Sequence, residues 1–232
     1  MRLPELVEGR LVTRYKRFFA DVMLADGSLV TAHCPNPGAM LGLKEPGSRA
    51  FLSTSTSPTR KLPLTLEILE ADGTLVGINT GRPNAIVAEA IADGTIAELA
   101  GYGLMRREVA YGTGSRVDLV LEDGAGPPAY VEVKNVHLRR TPGLAEFPDS
   151  VTARGAKHLA ELALMAAAGA RAVMVFLIQR ADVEALAVAR DIDPAYAAAF
   201  DLARAAGVEM LAYACRVERT EIAAERPVPV VG

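Results

Sequence analysis

Short alternating runs of apolar and polar residues fill the chain up to about residue 82. Runs rich in β-branched and aromatic residues alternate there with Gly, Pro, Asp and Ser, a pattern that predicts strands separated by turns. Asp26-Gly27 and Asp72-Gly73 each have the composition of a hairpin turn. Because strands so few and short cannot build a large sandwich, we expect a small closed β-barrel of the oligonucleotide-binding (OB) type. The predicted strands cover residues 11–22, 28–33, 47–53, 64–69 and 75–78.

From residue 83 onward, helical and strand-like patterns are mixed. Asn84 is a preferred helix-capping residue and Gly94 a natural helix stop, so the sequence predicts a helix between them. We therefore expect a two-domain α+β protein: an OB-like β-barrel over residues 1–82, then a mixed-sheet α/β domain over residues 83–232. The predicted elements of the second domain are helices over residues 85–92, 151–168 and 195–206, a helical turn over 96–99, and strands over 104–111, 115–122, 129–135, 172–178 and 208–213.

A predicted hairpin in the second domain brings acidic residues together. Successive side chains of a strand point to opposite faces, so Glu132 and Lys134 share one face. Pairing Leu119 with Val131 sets apolar residues against each other and places Asp118 across from Glu132. Two facing carboxylates repel unless a cation lies between them, and Mg²⁺ and Mn²⁺ prefer carboxylate oxygens. We predict a divalent-metal site there, with Lys134 placed to activate water or stabilise a phosphate; the alternative is the solvated face of an amphipathic hairpin.

An aspartate followed 14 residues later by Glu-x-Lys on adjacent strands resembles the motif of the PD-(D/E)XK nuclease superfamily. The predicted order of helix, three strands, helix and strand is also similar to the core of that superfamily. The resemblance implies a further acid from the first helix and a polar residue from the fourth strand, positions that Glu89 and Gln179 occupy. Glu108, on the first hairpin strand, ranks below Glu89 as a ligand. The site implied is Asp118, Glu132, Lys134, Glu89 and Gln179, with Asp118, Glu132 and Glu89 as metal ligands.

Basic residues interleaved with aromatic ones form a second pattern near the N-terminus. Arg14, Tyr15, Lys16 and Arg17 are consecutive, and this mixture suits a surface that neutralises phosphates and stacks on bases. A strand with a solvated polar face explains the same pattern equally well. Further candidates for nucleic-acid contact are Arg60 and Lys61 in a Ser/Thr/Pro-rich loop, and Arg154, Lys157 and His158, which share one face of a predicted helix near the proposed metal site. A solvated basic stripe explains that helical face at least equally well.

Several short blocks of sequence, taken together, indicate a protein family more specifically than any of these motifs does. They lie at residues 14–18, 31–36, 60–62, 131–136, 147–149, 152–155 and 157–159. They resemble the sugar fermentation stimulation protein A (SfsA) family, and the similarity extends from Leu11 to about Ile222. The resemblance implies an OB-like domain joined to a nuclease-like domain, binding of DNA without sequence preference, and a regulatory role in maltose metabolism.

Composition and charge narrow the class of protein. Half of the 232 residues are hydrophobic and 23% are charged, which is enough for a sizeable core. The net charge of −3 means that nucleic-acid contact must come from a local basic patch. Cys34 and Cys215 lack metal-site spacing, so we expect reduced thiols without a disulfide partner. No apolar run reaches the roughly 20 residues of a membrane span, so we expect a cytoplasmic protein that contacts no membrane.

Two kinds of function fit these observations. One is a Mg²⁺- or Mn²⁺-dependent DNA phosphodiesterase, and the other is a non-enzymatic DNA-binding regulator of sugar metabolism that keeps the nuclease-like fold. The presence of Asp118, Glu132 and Lys134 favours metal chemistry, because a degenerated nuclease would be expected to lose such groups. A carbohydrate-processing enzyme is disfavoured, since aromatic residues make up 5% of the chain and Trp is absent. The oligomeric state is left open.

Overall fold

The N-terminal strands form a barrel. The computed structural model describes residues 1–112 and 114–232. Strand β1 lies between β2 and β4, and the edge strand β3 pairs with β5 through His33 and Thr65, which closes the sheet on itself. Five strands thus make the closed barrel that the sequence predicts, and β6 extends it from β5. The strands are β1 (Leu6–Tyr15), β2 (Phe19–Leu24), β3 (Leu29–His33), β4 (Arg49–Thr54), β5 (Leu64–Ala71) and β6 (Thr74–Gly77).

One barrel element differs from its prediction. Residues 11–22 are predicted as a single strand, whereas the structure folds them into the β1–β2 hairpin, in which Tyr15 pairs with Phe19. The turn contains Lys16 and Arg17, with φ of 47° and 63°. Tight hairpins need positive φ at their central residues, and Gly, Asn or Asp usually supply it. A turn made of Lys and Arg therefore carries none of the usual sequence indications.

The second domain is built on a six-stranded sheet with the order β15-β14-β12-β9-β8-β7. Strands β9, β12 and β14 are parallel, and the outer pairs are antiparallel. Helix α1 lies on one face, and helices α2 and α3 cover the other. The elements are α1 (Pro83–Ala92), β7 (Tyr102–Tyr111), β8 (Ser115–Gly124), β9 (Ala129–Val136), α2 (Ala153–Ala167), β12 (Arg171–Ile178), α3 (Pro194–Ala205), β14 (Glu209–Val217) and β15 (Ile222–Pro227), with a 3₁₀ turn at Ala97–Leu99. The turn predicted between β7 and β8 includes residue 113, which lies outside the described residues.

A second, four-stranded sheet is absent from the sequence-based prediction. It consists of β10 (Leu138–Thr141), β11 (Gly143–Phe147), β13 (Val183–Val188) and β16 (Val230–Val231), in the order β10-β11-β13-β16. Two of its pairings, β11 with β13 and β13 with β16, are parallel and join distant parts of the chain, and such pairings leave no local hairpin pattern. This sheet brings the segment after Phe147 alongside the end of β9.

The barrel packs directly on the main sheet. Phe51 and Ile68 from the outside of the barrel share a hydrophobic cluster with Ile86 of α1 and with Leu119 and Val175 of the sheet. A separate cluster fills the barrel interior, and a third lies under α2 and α3. The apolar contact fixes the barrel relative to the sheet, so loops of both domains can form one site. The division at residues 82 and 83 remains a prediction.

Both cysteines are buried and free, Cys34 inside the barrel and Cys215 in the interdomain cluster. Among the described residues, none of the helices combines the length and the apolar character that crossing a membrane demands.

Candidate active site

Asp118 lies where strands β8 and β9 separate. The strands pair from Leu121 with Ala129 to Leu119 with Val131, which is the predicted register. Beyond that point the Val133 N–H donates to Asp118 Oδ2 at 2.8 Å, so a side-chain carboxylate accepts the hydrogen bond in place of a backbone carbonyl. The side-chain amide of Asn84 donates to Oδ1 at 2.7 Å. Asn84 is thus held against Asp118, while Arg82 takes the helix-capping position that the sequence predicts for Asn84.

Glu132 is a buried carboxylate with two unlike oxygens. The residue is 2% exposed. Its Oε1 accepts a hydrogen bond from Lys134 Nζ at 2.7 Å and also contacts His158 Nδ1. Its Oε2 is buried and has no hydrogen-bond partner among the described residues. An unsatisfied buried carboxylate oxygen is costly, so this atom is a natural ligand position for a cation.

His158, predicted as a nucleic-acid contact on one helical face with Arg154 and Lys157, is buried against Glu132. The residue is 4% exposed, and its Nε2 accepts from Arg154 Nε at 3.2 Å. Because Nε2 is an acceptor, the proton of the neutral ring is on Nδ1, which donates to Glu132. The helix carries His158 inward, while Arg154 and Lys157 are exposed. Lys157 lies 3.6 Å from Glu161 one helical turn later.

The two carboxylates influence each other electrostatically. The pKa of Asp118 is raised, first by burial and then by the negative charge of Glu132, against the hydrogen bonds from Val133 and Asn84. Burial alone would raise the pKa of Glu132, but His158 and Lys134 outweigh it and lower that pKa. A cation bound between the two groups would relieve the repulsion felt by Asp118.

Tyr111 is a neighbour that the sequence does not indicate. Its hydroxyl is buried and without a hydrogen-bond partner among the described residues. The pKa of the phenol is raised by burial and then by the charges of Glu132, Glu161 and Asp118. The Tyr111 ring therefore experiences the negative electrostatic potential of these carboxylates.

The predicted supporting acid, Glu89, lies elsewhere. Its Oε2 is 2.7 Å from the amino group of Met1, and its side chain is 55% exposed. Five residues correspond to about 140° around a helix, so α1 turns Glu89 away when Asn84 faces Asp118. In the part of the chain that the structure describes, no three His, Cys, Asp or Glu side chains form a group that could hold a metal ion. The three-acid ligand set with Glu89 is therefore not assembled.

Gln179 and Glu108 are also separated from this site. Gln179 is fully buried on the barrel side of the sheet, where its side chain donates to Asn135 Oδ1 at 2.6 Å and its carbonyl accepts from the Gly77 N–H at 2.9 Å. Residues of one strand alternate between faces, so Asn135 points away from the face of Glu132 and Lys134. Glu108 is exposed on β7 with a φ of 53°, and its carbonyl accepts from Arg116.

The basic and aromatic residues of the barrel divide into two groups. Arg14 Nη2 donates to the carbonyls of Arg17, Asn36 and Gly38 at 2.7–3.0 Å, so its guanidinium holds a loop together. The other predicted contacts face solvent: Tyr15, Lys16, Arg17, Arg60 and Lys61. Tyr15 stacks on Phe19, and Arg60 lies 3.3 Å from His33. Arg14 acts on the shape of this surface, while the exposed residues are available to a ligand.

The fold joins an OB barrel to a mixed-sheet α/β domain that contains a pair of buried carboxylates. Two family models match the chain: the SfsA N-terminal OB domain over residues 12–78, and the sugar fermentation stimulation protein RE domain over residues 81–221. The chain therefore belongs to the sugar fermentation stimulation protein (SfsA) family.

Relatives and a solved structure agree with this membership. Sugar fermentation stimulation protein homologs are 60% identical over 227 residues in Rhodospirillum centenum, covering 97% of each chain, and 56% identical over 231 residues in Maricaulis maris, covering 99% of this chain and 98% of the relative. The structure of Pyrococcus furiosus SfsA in complex with Ca²⁺ matches with a TM-score of 0.90 and 27% identity, covering 100% of this chain and 98% of that one. The two-domain architecture thus extends over the whole length.

Proposed function

We propose that this member of the SfsA family is a divalent-metal-dependent phosphodiesterase that acts on DNA. The observation that carries the proposal is the Glu132 carboxylate, whose Oε1 is held by Lys134 and His158 while its buried Oε2 lacks a hydrogen-bond partner among the described residues. A carboxylate used only for structure would be expected to satisfy both oxygens. Here one oxygen is fixed and the other is left for a ligand.

Asp118 and Glu132 are the residues that would hold the metal. Both offer hard oxygen atoms, and the raised pKa of Asp118 reflects a site with too much negative charge for its burial. Mg²⁺ and Mn²⁺ are the cations of choice for such a site in a phosphodiesterase. The Ca²⁺ complex of Pyrococcus furiosus SfsA supports oxygen-preferring divalent ions as a class.

A bound divalent ion supplies charge stabilisation for a phosphoryl oxygen and lowers the pKa of water. The protein contributes positioning and a fixed positive charge. Lys134 has three N–H donors; one is donated to Glu132, and Nζ also lies 3.3 Å from His158 Nδ1. At least one donor is left for a phosphate oxygen as negative charge develops there. His158 holds Glu132 in one orientation, and Arg154 holds the tautomer of His158 that can do so.

The barrel is the proposed docking surface for the DNA backbone. Its β1–β2 turn presents Lys16 and Arg17 to solvent beside Phe18, which is 46% exposed. Arg60 and Lys61 add positive charge on a neighbouring loop. A chain with a net charge of −3 has no general attraction to DNA, so affinity must come from this local surface and must fall as salt rises.

A second candidate is a DNA-binding regulator that does not cut. The observation in its favour is that no three His, Cys, Asp or Glu side chains of residues 1–112 and 114–232 gather as a metal-ligand set. Two carboxylates bind a metal ion less tightly than three carboxylates do. A protein that binds DNA without cutting it needs no metal ion for catalysis. A regulatory role in sugar metabolism would then rest on the barrel surface.

One experiment separates the two functions. Single- and double-stranded DNA would be incubated with Mg²⁺ or Mn²⁺ and the wild-type protein, Glu132→Gln, Lys134→Ala or Glu89→Gln. We expect metal-dependent cutting that is lost in the first two variants and kept in Glu89→Gln, because Glu89 pairs with the Met1 amino group away from the site. Binding without cutting by the wild-type protein contradicts the phosphodiesterase and supports the regulator.

A further inference from the structure

A cleft of about 620 Å³ opens where the two domains meet. Residues 36–39 of the barrel form one wall, residues 147–152 form the other, and Asn135 and His137 lie at the end of β9 between them. This interdomain cleft falls within the range of about 300–1,000 Å³ that is usual for small-molecule sites. It is lined by residues of both domains, so neither domain alone would contain it.

The walls of the interdomain cleft are held in place by buried polar contacts. Asp149 Oδ2 accepts from the Met40 N–H at 2.9 Å and lies 3.2 Å from His137 Nε2. Asn36, which is 1% exposed, donates from Nδ2 to the Ile78 carbonyl at 3.0 Å. The barrel wall is thus tied to the opposite wall through one carboxylate. A preformed cleft loses little conformational entropy when a ligand binds.

Positive charge dominates the lining. Arg14, Arg17 and Lys44 all line the interdomain cleft, while Asp149 is its single carboxylate. Within residues 1–112 and 114–232, neither Arg17 nor Lys44 pairs with a carboxylate. Burial alone would raise the pKa of Asp149, but hydrogen bonds from His137 and the Met40 N–H outweigh it and lower the pKa to about 2. Asp149 is therefore ionised and already satisfied, and the two unpaired cations are left to attract an anion.

The N-terminus of α2 adds to this preference. Thr152 lines the interdomain cleft and caps the helix, accepting from the Gly155 N–H at 3.1 Å. The first turn of the helix contains no acidic residue that would neutralise its positive end. Helix N-termini attract phosphate groups, and here one adjoins the cationic lining.

The remaining lining suits a flat heterocycle. Phe147 and Pro148 supply apolar surface. The Thr80 and Ser150 hydroxyls donate to Pro35 and Asp149 and keep lone pairs that can accept from the edge of a base. Bases are recognised by apolar or stacking contact on their faces and by hydrogen bonds at their edges. An anionic part and a polar, planar part joined together describe a nucleotide.

We propose that the interdomain cleft binds one unpaired nucleotide of a DNA strand, with its phosphate against Arg17, Lys44 and the N-terminus of α2. The inference rests on DNA being the substrate, as proposed above. Thr152 lines the cleft and caps helix α2, and Arg154 in the first turn of that helix contacts His158. The cleft and the Glu132 site therefore both adjoin the N-terminal turn of α2. A base that remains paired and stacked in a duplex cannot present its face and edges to the walls of this cleft, so the protein prefers unpaired DNA.

Binding without metal tests this site independently of cutting. Fluorescence anisotropy would compare a short labelled single strand with a blunt hairpin duplex, for wild-type protein, Lys44→Ala and Ala39→Phe. Ala39 lines the cleft, and a phenyl group there would fill it. We expect the wild-type protein to bind the single strand at least tenfold more tightly than the duplex. Lys44→Ala should weaken single-strand binding about tenfold and Ala39→Phe more than that, because a charged contact and the space itself are lost.

Matched controls are Arg107→Ala and Ala198→Phe, which change exposed residues outside the cleft and should leave affinity unchanged. Thermal unfolding of each variant would show that it folds. Because Lys44 is exposed, Lys44→Ala is expected to fold and still tests the cleft if Ala39→Phe misfolds.

Equal affinity for duplex and single strand, or unchanged single-strand affinity of Lys44→Ala, would overturn the proposal. So would displacement of the strand by an equal concentration of deoxythymidine monophosphate, which would make the cleft a free-nucleotide site. A protein that binds as expected but never cuts contradicts the phosphodiesterase and leaves the cleft intact.

Discussion

His158 Nδ1 donates a hydrogen bond to Glu132 Oε1, so helix α2 orients a carboxylate that lies on strand β9. Arg154 donates to the other ring nitrogen at 3.2 Å and thereby fixes the tautomer. Partners of this kind turn a ligand toward its metal and hold it there. The contact joins segments 26 residues apart and makes the acidic site dependent on the position of α2.

Removing the imidazole should therefore reduce turnover more than DNA binding. We expect His158→Ala to lower kcat about 10- to 100-fold with little change in KM, since the loss of such a partner typically costs that much. His158→Asn should recover part of the activity because its amide offers a donor near the position of Nδ1. Single-turnover kinetics of both variants measure the effect. Equal loss in the two variants would show that the imidazole only fills space.

Metal binding should raise the thermal stability of the protein through Glu132. A ligand at 100 times its Kd stabilises the folded state by about 2.7 kcal/mol, which is readily seen in a melting curve. We expect Mn²⁺ to raise the Tm of the wild-type protein and of Glu89→Gln, and to leave the Tm of Glu132→Gln unchanged. The contrast between the two glutamates separates the buried site from the exposed acid on α1. A metal-induced shift that persists in Glu132→Gln would place the ion elsewhere.

The interdomain contact of Asp149 should make stability depend on acidic pH. Its pKa of about 2 in the folded protein lies below the ordinary 3.8, so its ionised form stabilises the fold by about 2 kcal/mol above pH 3.8. That contribution falls as the pH decreases from 3.8 toward 2. Urea unfolding at pH 7 should show Asp149→Asn to be less stable by about this amount, with the difference shrinking at pH 3. Asp201→Asn, an exposed carboxylate paired with Arg190, is the control and should change stability little.

Arg14 and Arg17 should have different roles although only three positions separate them. Arg14→Ala should lower the free energy of unfolding by about 2 kcal/mol, because three carbonyls lose a charged donor. Arg17→Ala should leave the free energy of unfolding unchanged and weaken DNA binding. The slope of log affinity against log salt concentration should fall by about 1, which corresponds to the loss of one phosphate contact. Denaturant titrations and anisotropy at several salt concentrations measure the two effects. Unaltered DNA affinity in Arg17→Ala would remove the β1–β2 turn from the docking surface.

Much of the fold follows from patterns within short stretches of sequence. The alternation in β8 and β9 predicts the pairing of Leu119 with Val131, because only one register buries the apolar residues. The first helix is also predicted, but Asn84 is assigned there as a cap. In the structure Asn84 bonds to Asp118, a residue 34 positions away, and capping preference cannot indicate such a partner.

The supporting groups of the site could not be predicted in this way. Glu89 is an acid on the expected helix, yet the rotation of α1 turns it toward Met1. Gln179 has the expected strand position, but it lies on the opposite face of the sheet and bonds to Asn135. In both cases the residue type matches the pattern of the PD-(D/E)XK nuclease superfamily that the sequence resembles. The rotation of the helix, and the alternation of side chains along the strand, decide which face each residue reaches.

The sequence by itself therefore determined the barrel, five of the six strands of the main sheet and the meeting of Asp118, Glu132 and Lys134, since these depend on periodicity and on a hairpin whose strands are close in the chain. Strand β15 was not predicted. Only the tertiary structure decided that His158 and Arg154 support Glu132, and that loops of two domains enclose a cationic cleft. Those contacts depend on how α2 and the barrel pack against the sheet. Packing is a sum of many weak apolar contacts spread over the whole chain, and no short stretch of residues records it.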